Sequence, residues 1–322
     1  MNKKKRKMII FLVLILIFSF FPLFTDILWV EKNKEIYNIS VIIRGGNTES
    51  WAIMKQGIDQ AALEMNAEIR FITLSEENSV DEQTELINRE INNGTDTILI
   101  SPVDYEKMVE PIEMAMSKVP VVLIESTINS KKNLAYISCN NYEMGVSLAE
   151  EVIQNGNTKS KISIIASNLE CSSINERYNG FKDTINKTNN TYSLLELYVD
   201  EKVAYNKIMS LLEKNTSDVI IAFDAETLEI IAETKKDLNR TNSDIEVYGI
   251  GSTSKIISLL EEKIINSIGV QNEFNIGYLG VKNAVDILRG RKIENSIIES
   301  TIVTMRNMYS NENQRLLFPF IR

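Results

Sequence analysis

Residues 39–65 read ISVIIRGGNTESWAIMKQGIDQAALEM, and the fold is legible from this stretch outward. Ile39 to Ile43 is a short, β-branched apolar run, the mark of a buried strand. A polar loop follows, with Gly45 and Gly46 and then Asn47, Thr48, Glu49 and Ser50. After it, Trp51, Met54, Ile58, Ala61 or Ala62, and Met65 recur at helical spacing and give one apolar face. Strand, polar loop and amphipathic helix make half of a βαβ unit. Ligands of open α/β sheets sit outside the carboxyl ends of the strands, so this loop is expected to line a site.

The same alternation continues along the chain. Further strands are predicted at residues 69–73, 97–101, 119–124 and 134–138, then at 162–166, 194–198, 219–222, 246–250 and 265–270. Amphipathic helices separate them, and a final helix is expected to bury Phe274, Tyr278, Val281, Val285 and Leu288 on one stripe. About ten strands in two runs, each alternating with helices, imply two α/β lobes with parallel sheets and a cleft between their strand ends.

Composition removes several functions. The 322 residues are 44% apolar and 25% charged, enough to bury one large core or two moderate ones. There is no histidine, which excludes Ser-His-Asp and Cys-His nucleophilic sites, His-ligated zinc and HExxH chemistry. Cys139 and Cys171 lack metal-ligand spacing and read as small buried hydrophobes rather than a disulfide. No catalytic residue, metal site or cofactor is expected. The net charge is −9, yet Lys3 to Lys7 place five positive charges at the start, and the remainder carries −14. So acidic a body is unsuited to nucleic acid, which demands a basic footprint.

Met8 to Phe24 is uncharged and almost wholly apolar. A cleaved secretory signal needs small residues near its end, whereas the first alanine is Ala52, so an uncleaved anchor is the favoured reading. The basic start then stays in the cytoplasm and the rest of the chain lies outside. Residues 1–30 form the basic start and anchor, and 31–37 a charged tether.

Candidate binding residues stand at strand ends and helix starts, each with a plain structural alternative. Trp51 covers an apolar ring face or fills core. Arg177 reaches the cleft or is solvated. Asp224 accepts hydroxyl hydrogen bonds or caps the next helix, and Asp104 reads as a helix cap. Residues 249–255, GIGSTSK, lack the Gly-Lys-Ser/Thr ending of a phosphate loop and read as a strand-to-helix turn.

Six segments in order carry a family resemblance: WAIMKQGID (51–59), DTILISPVD (96–104), VPVVLIES (119–126), ISCNNYEMG (137–145), ERYNGF (176–181) and GVQNEFNIGYLG (269–280). From residue 39 to about residue 305 the chain resembles the type I periplasmic binding-protein family, in its ribose- and galactose-type branch. The resemblance implies two Rossmann-like lobes joined by three hinge strands, closing on a small solute, often a monosaccharide, with no bond made or broken. It implies a first lobe of 38–139 plus 272–300, a second of 140–271 plus 301–310, and a tail at 311–322. Ser50 and Trp51 match the family's aromatic pair, with only Trp51 aromatic. Glu125 and Ser126 match the Asp-Arg pair that grips sugar hydroxyls; the acid is kept with a longer arm and the arginine is lost. Asn140 matches the first-hinge aspartate or asparagine, and Arg177 the arginine before Gly-Phe. Asp224 belongs to an Asn-Asp turn with Phe223 replacing the asparagine, Gln271 matches the hinge glutamine, and Gly251 replaces an aspartate.

The resemblance implies delivery to an ABC permease or, alternatively, reporting to a membrane sensor histidine kinase; the anchor tilts toward sensing. An enzyme would have to use Glu125 and Asp224 as an acid pair for glycoside hydrolysis, which the resemblance opposes.

Overall fold

The computed structural model describes residues 36–46, 48–197, 201–238, 245–293 and 296–318, together with Phe11. The expected anchor, apart from Phe11, and most of the tether lie outside these residues. Among the described residues, no helix is long and apolar enough to cross a membrane.

The chain begins β1 (Tyr37–Ile42), α1 (Glu49–Met65), β2 (Ala67–Ile72), α2 (Val80–Asn92), β3 (Thr97–Ile100), α3 (Val109–Met116), β4 (Val121–Ile124), β5 (Ala135–Cys139). It continues α4 (Asn141–Gln154), β6 (Lys161–Ala166), α5 (Ser172–Ile185), β7 (Thr191–Glu196), α6 (Glu201–Lys214), β8 (Val219–Ala222), α7 (Ala225–Asp237), β9 (Glu246–Ile250), α8 (Ser254–Glu261), β10 (Ser267–Gln271). It closes with α9 (Glu273–Leu288), β11 (Ser296–Ile298), β12 (Ser300–Thr304) and α10 (Asn311–Leu317).

Two six-stranded sheets result, ordered β11-β5-β4-β3-β1-β2 and β12-β10-β9-β8-β6-β7. Every pairing for which register is resolved is parallel except β10 with β12. The central strands β3, β4 and β8 are buried at every residue, as a parallel sheet covered on both faces requires. Each lobe has its own core, with Ile98, Ile100, Ile112 and Leu123 in the first and Ile220, Ile231, Val247 and Ile268 in the second. The chain passes between the sheets three times: after β5, after β10, and between β11 and β12. Both cysteines are free and buried.

Three details depart from expectation. β11 and β12 were not foreseen, because they are only three and five residues long and Glu299 interrupts the apolar run between them. β7 begins three residues earlier than predicted, since it is an edge strand whose residues are mostly exposed and the apolar run there does not mark a core face. The predicted far end of that strand, Tyr198, lies outside the described residues. The buried stripe of α9 is Ile276, Gly277, Gly280, Val281, Ala284 and Val285, while Phe274 and Tyr278 stack on one another at its flank. The stripe is displaced because Gly277 lies directly against α1: a Cβ there would stand 2.1 Å from the Met54 carbonyl oxygen. Hydrophobic patterning gives such a glycine no weight.

At the C-terminal end, Leu317 joins the second core, with Leu316 and Phe318 packed against it. Residues 319–322 lie outside the described residues.

Candidate binding cleft

The carboxyl ends of both sheets face one cleft of about 400 Å³, within the usual range for a small-molecule site. Arg44 enters from the turn after β1, Glu125 from the end of β4, and Asp224, Gly251 and Gln271 from the ends of β8, β9 and β10. Ser50 and Trp51 come from the first turn of α1, Arg177 from α5, and Glu273 from the start of α9.

Glu125 and Arg177 meet at the centre, 4% and 3% exposed. Glu125 Oε1 accepts from Ser173 Oγ (2.7 Å) and lies 3.8 Å from Arg177 Nη2, while Oε2 accepts from Ser101 Oγ (3.1 Å) and Arg44 Nε (3.3 Å). Burial pushes this carboxyl up, but the two guanidiniums and the hydroxyls outweigh it and hold it below the usual range. The Arg44 guanidinium loses solvation on burial and is nevertheless held charged by Glu125. Glu125 has φ of +65°, a left-handed conformation that costs roughly 1–3 kcal/mol in a non-glycine residue. Its backbone is pinned there by Ser138 Oγ (2.8 Å) and Tyr136 OH (3.2 Å), which donate to its carbonyl, and by its own N–H donating to Ile137 O (3.0 Å).

Arg177 Nε donates to Asn141 Oδ1 (2.8 Å), Nη1 to the Phe223 carbonyl (2.9 Å) and Nη2 to Gln271 Oε1 (3.3 Å). It therefore ties α4, β8, β10 and, through Glu125, the opposite sheet to one side chain. The backbone beneath it is equally constrained: α4 and α5 cross so closely that a Cβ on Gly145 would lie 2.0 Å from the Arg177 carbonyl oxygen. Trp51 is buried and also lines the cleft, so core and cleft are one answer for it; the Arg44 guanidinium sits 5.8 Å from its ring centroid.

Ser50, Trp51, Glu125, Arg177, Asp224 and Gln271 are thus brought to one cleft. Asp224 combines both of its readings. It lines the cavity, and its carboxylate caps α7 by accepting from Thr227 N and Thr227 Oγ1 (both 2.9 Å), with Ser167 Oγ also donating at 2.9 Å. Ser126 and Asn140 are not among the lining residues. The Ser126 hydroxyl, fully buried, donates to the Pro102 carbonyl (2.8 Å). Asn140 is exposed and caps α4 by accepting from Glu143 N (3.1 Å). Asp104 caps its turn, accepting from the backbone N–H groups of Glu106 and Lys107.

Two cleft residues, Arg44 and Glu273, were missed in the sequence, while Glu49 belongs to the polar loop expected to line the site. Arg44 supplies the cation beside Glu125 that Ser126 does not; its only signal was a charged residue directly after a buried strand. Glu49 crosses the cleft, where Oε1 accepts from Ser254 N (3.0 Å) and Ser254 Oγ (2.6 Å) at the start of α8. Glu273 is 8% exposed, and burial with help from Glu125 and Glu49 pushes its carboxyl up to about 8 against the opposing charge of Arg177. The folded protein therefore keeps this proton to higher pH than the unfolded chain. The associated stability is full below about pH 4.5 and is lost as pH rises through about 8. Glu273→Gln should remove that loss, so its stability relative to wild type should rise by up to ~1.4 kcal/mol per pH unit within the window, read by urea unfolding at several pH values. A pH-independent difference would show that Glu273 is ionised throughout.

Comparison with known proteins places these features in context. The family described as "Periplasmic binding protein domain" matches residues 39–292. The ribose import binding protein RbsB of Bacillus subtilis (strain 168) is 24% identical over 267 residues, 82% of this chain and 86% of that protein. A carbohydrate transporter solute-binding protein from Agrobacterium radiobacter, solved with D-arabinose, superposes with a TM-score of 0.83 at 20% identity, covering 88% of this chain and 100% of that one. XylFII, solved in a complex with LytSN, superposes with a TM-score of 0.77 at 19% identity, covering 84% and 99%.

Proposed function

The chain belongs to the periplasmic binding protein domain family, one of binding proteins and not of enzymes, and on that premise we propose that it is a membrane-anchored extracytoplasmic receptor whose cleft closes on a monosaccharide for ABC-type uptake. The observation that carries this reading is the meeting of Glu125, at the end of β4 in the first lobe, with Arg177, on α5 of the second, in the cleft that Trp51 also lines. A polyol presents hydroxyls that can bridge such a pair through charge-assisted hydrogen bonds, and an apolar carbon face that an indole can cover. The apolar N-terminal segment is the anchor in this reading. Hinge closure follows because a solute touching both lobes binds the closed state more tightly than the open one.

The test is a thermal-shift screen of the full chain in detergent against pentoses, hexoses and amino acids. One sugar should raise the melting temperature by mass action, and Trp51→Ala should weaken its binding by roughly tenfold, about 1.4 kcal/mol. A shift with amino acids alone would refute the carbohydrate assignment.

A second reading is a sensor that passes the closed state to a membrane histidine kinase. XylFII, which shares the fold, was solved in a complex with another protein, LytSN, and the anchor suits a receptor that stays beside its partner. Affinity purification from detergent-solubilised membranes separates the readings, because permease subunits and a kinase differ in mass and sequence.

A further inference from the structure

Glu49 belongs to the first lobe and Ser254 to the second, yet the two are hydrogen-bonded across the cleft. Glu49 Oε1 accepts from Ser254 N at 3.0 Å and from Ser254 Oγ at 2.6 Å. Glu49 opens α1, and Ser254 opens α8 directly after its cap, Thr253. The first backbone N–H groups of a helix find no partner inside it. In α8, Thr253 Oγ1 takes the N–H of Ile256, and the N–H of Ser254 is taken by the opposite lobe.

The charge of the helix ends explains why a carboxylate stands here. A helix start carries roughly half a positive charge, so closing the cleft brings two like poles, those of α1 and α8, toward each other. The Glu49 carboxylate sits in the first turn of one helix and bonds to the first turn of the other, and it offsets both. Lys255, the next residue of α8, pairs with Glu229 and Glu233 on α7. The loops after β3 and β6 also join the lobes, with Tyr105 N donating to Glu170 O (2.8 Å) and Asn168 Nδ2 to Val103 O (3.0 Å). Those links end on backbone carbonyls. The link through Glu49 ends on a side chain, and a single substitution removes it.

We propose that Glu49 is a latch: its bonds to Ser254 favour the closed cleft through the protein's own groups, before a solute adds its contacts. The inference rests on the hinge closure of the reading above and not on the identity of the solute. A solute that requires the closed state binds in proportion to the closed fraction of the free protein, so the latch sets affinity from the rim of the cleft. Glu49 is in this sense a positioning residue, acting on the solute through the lobes.

Pulsed electron–electron double resonance between nitroxides at Leu63→Cys on α1 and Ser258→Cys on α8 reads the lobe separation of the full chain in detergent. Both positions are exposed, whereas Cys139 and Cys171 are buried, and the chain without the added cysteines, labelled alike, gives the background. In the free protein, Glu49→Ala should raise the ratio of long to short separations at least ~5-fold. Glu49→Gln, which keeps the acceptor and loses the charge, should fall between. Ser254→Ala, which loses the hydroxyl donor, should shift the ratio less, and should shift it no further once Glu49 is alanine. Far-ultraviolet circular dichroism confirms that each variant is folded. A ratio unchanged by Glu49→Ala, or a Ser254→Ala shift that persists without Glu49, would overturn the latch. If excess D-ribose or D-arabinose shortens the separation while Glu49→Ala leaves it alone, the latch falls and hinge closure stands. One fixed separation in every variant, with and without these sugars, would overturn both.

Discussion

Arg177→Ala should abolish solute binding and cost about 3 kcal/mol of folding free energy. The guanidinium is 3% exposed and bonds to Asn141 Oδ1, the Phe223 carbonyl and Gln271 Oε1. Its removal takes the donor from the Phe223 carbonyl, leaves Asn141 Oδ1 and Gln271 Oε1 to share the Cys139 thiol, and deprives Glu125 of one cation. Because Arg44 stays 3.3 Å from Glu125, the charge is not wholly uncompensated, and the expected loss falls at the lower end of the roughly 3–5 kcal/mol seen when buried pairs are broken. Arg177→Lys should recover part of the stability but little of the binding, since an ammonium cannot span the fork of acceptors. Urea unfolding and thermal shift measure the two effects. A stability loss below about 1 kcal/mol would mean that water replaces the guanidinium freely, and that this centre is not dry.

Gly145→Ala should be as damaging, with the opposite sign to the usual helix substitution. In an ordinary helix, exchanging glycine for alanine stabilises by about 0.5–1 kcal/mol. Here the added methyl would lie 2.0 Å from the Arg177 carbonyl oxygen and 3.0 Å from its Cα, so α4 and α5 must part by about an ångström. The crossing is reciprocal, with a Cβ on Gly180 standing 2.0 Å from the Tyr142 carbonyl oxygen, so neither helix can yield alone. A loss of at least ~3 kcal/mol is expected, with weakened solute binding because the displaced backbone is that of Arg177. Glu150→Ala on the exposed face of α4 should stay within about 0.5 kcal/mol and serves as the comparison. A stabilising Gly145→Ala would show that the helices separate freely.

These two residues illustrate what the sequence reveals of itself. The strand, turn and helix of residues 39–65 were legible because both periodicities are local and strong. The positions of Trp51, Arg177, Asp224 and Gln271 were legible because a cleft collects whatever stands at strand ends and helix starts. Arg44 was not, because its partner is Glu125, 81 positions away, and nothing local marks the pair. Glu49 stood in a loop expected to line the site, but its partner Ser254, 205 positions away, was not legible for the same reason. Ser126 follows the cleft residue Glu125 in the chain yet turns to the Pro102 carbonyl, and Asn140 turns to a helix cap. A one-residue step is enough to reverse a side chain's direction at the end of a strand.

The route of the chain between the sheets also bears on how the protein is made. The first sheet is covered on one face by α9, which packs on α1, β3, β4 and β5, and its edge is completed by β11. Both segments leave the ribosome only after the whole of β6 to β10. At roughly 5–20 residues per second, α1 waits on the order of 10 s or more with Met54 and Ile58 uncovered. The second sheet has five of its six strands translated in one uninterrupted run, and needs only β12 from later sequence. The lobe that is begun first therefore waits longest for its missing pieces, and the nascent chain is most exposed to misassembly before residue 288 emerges.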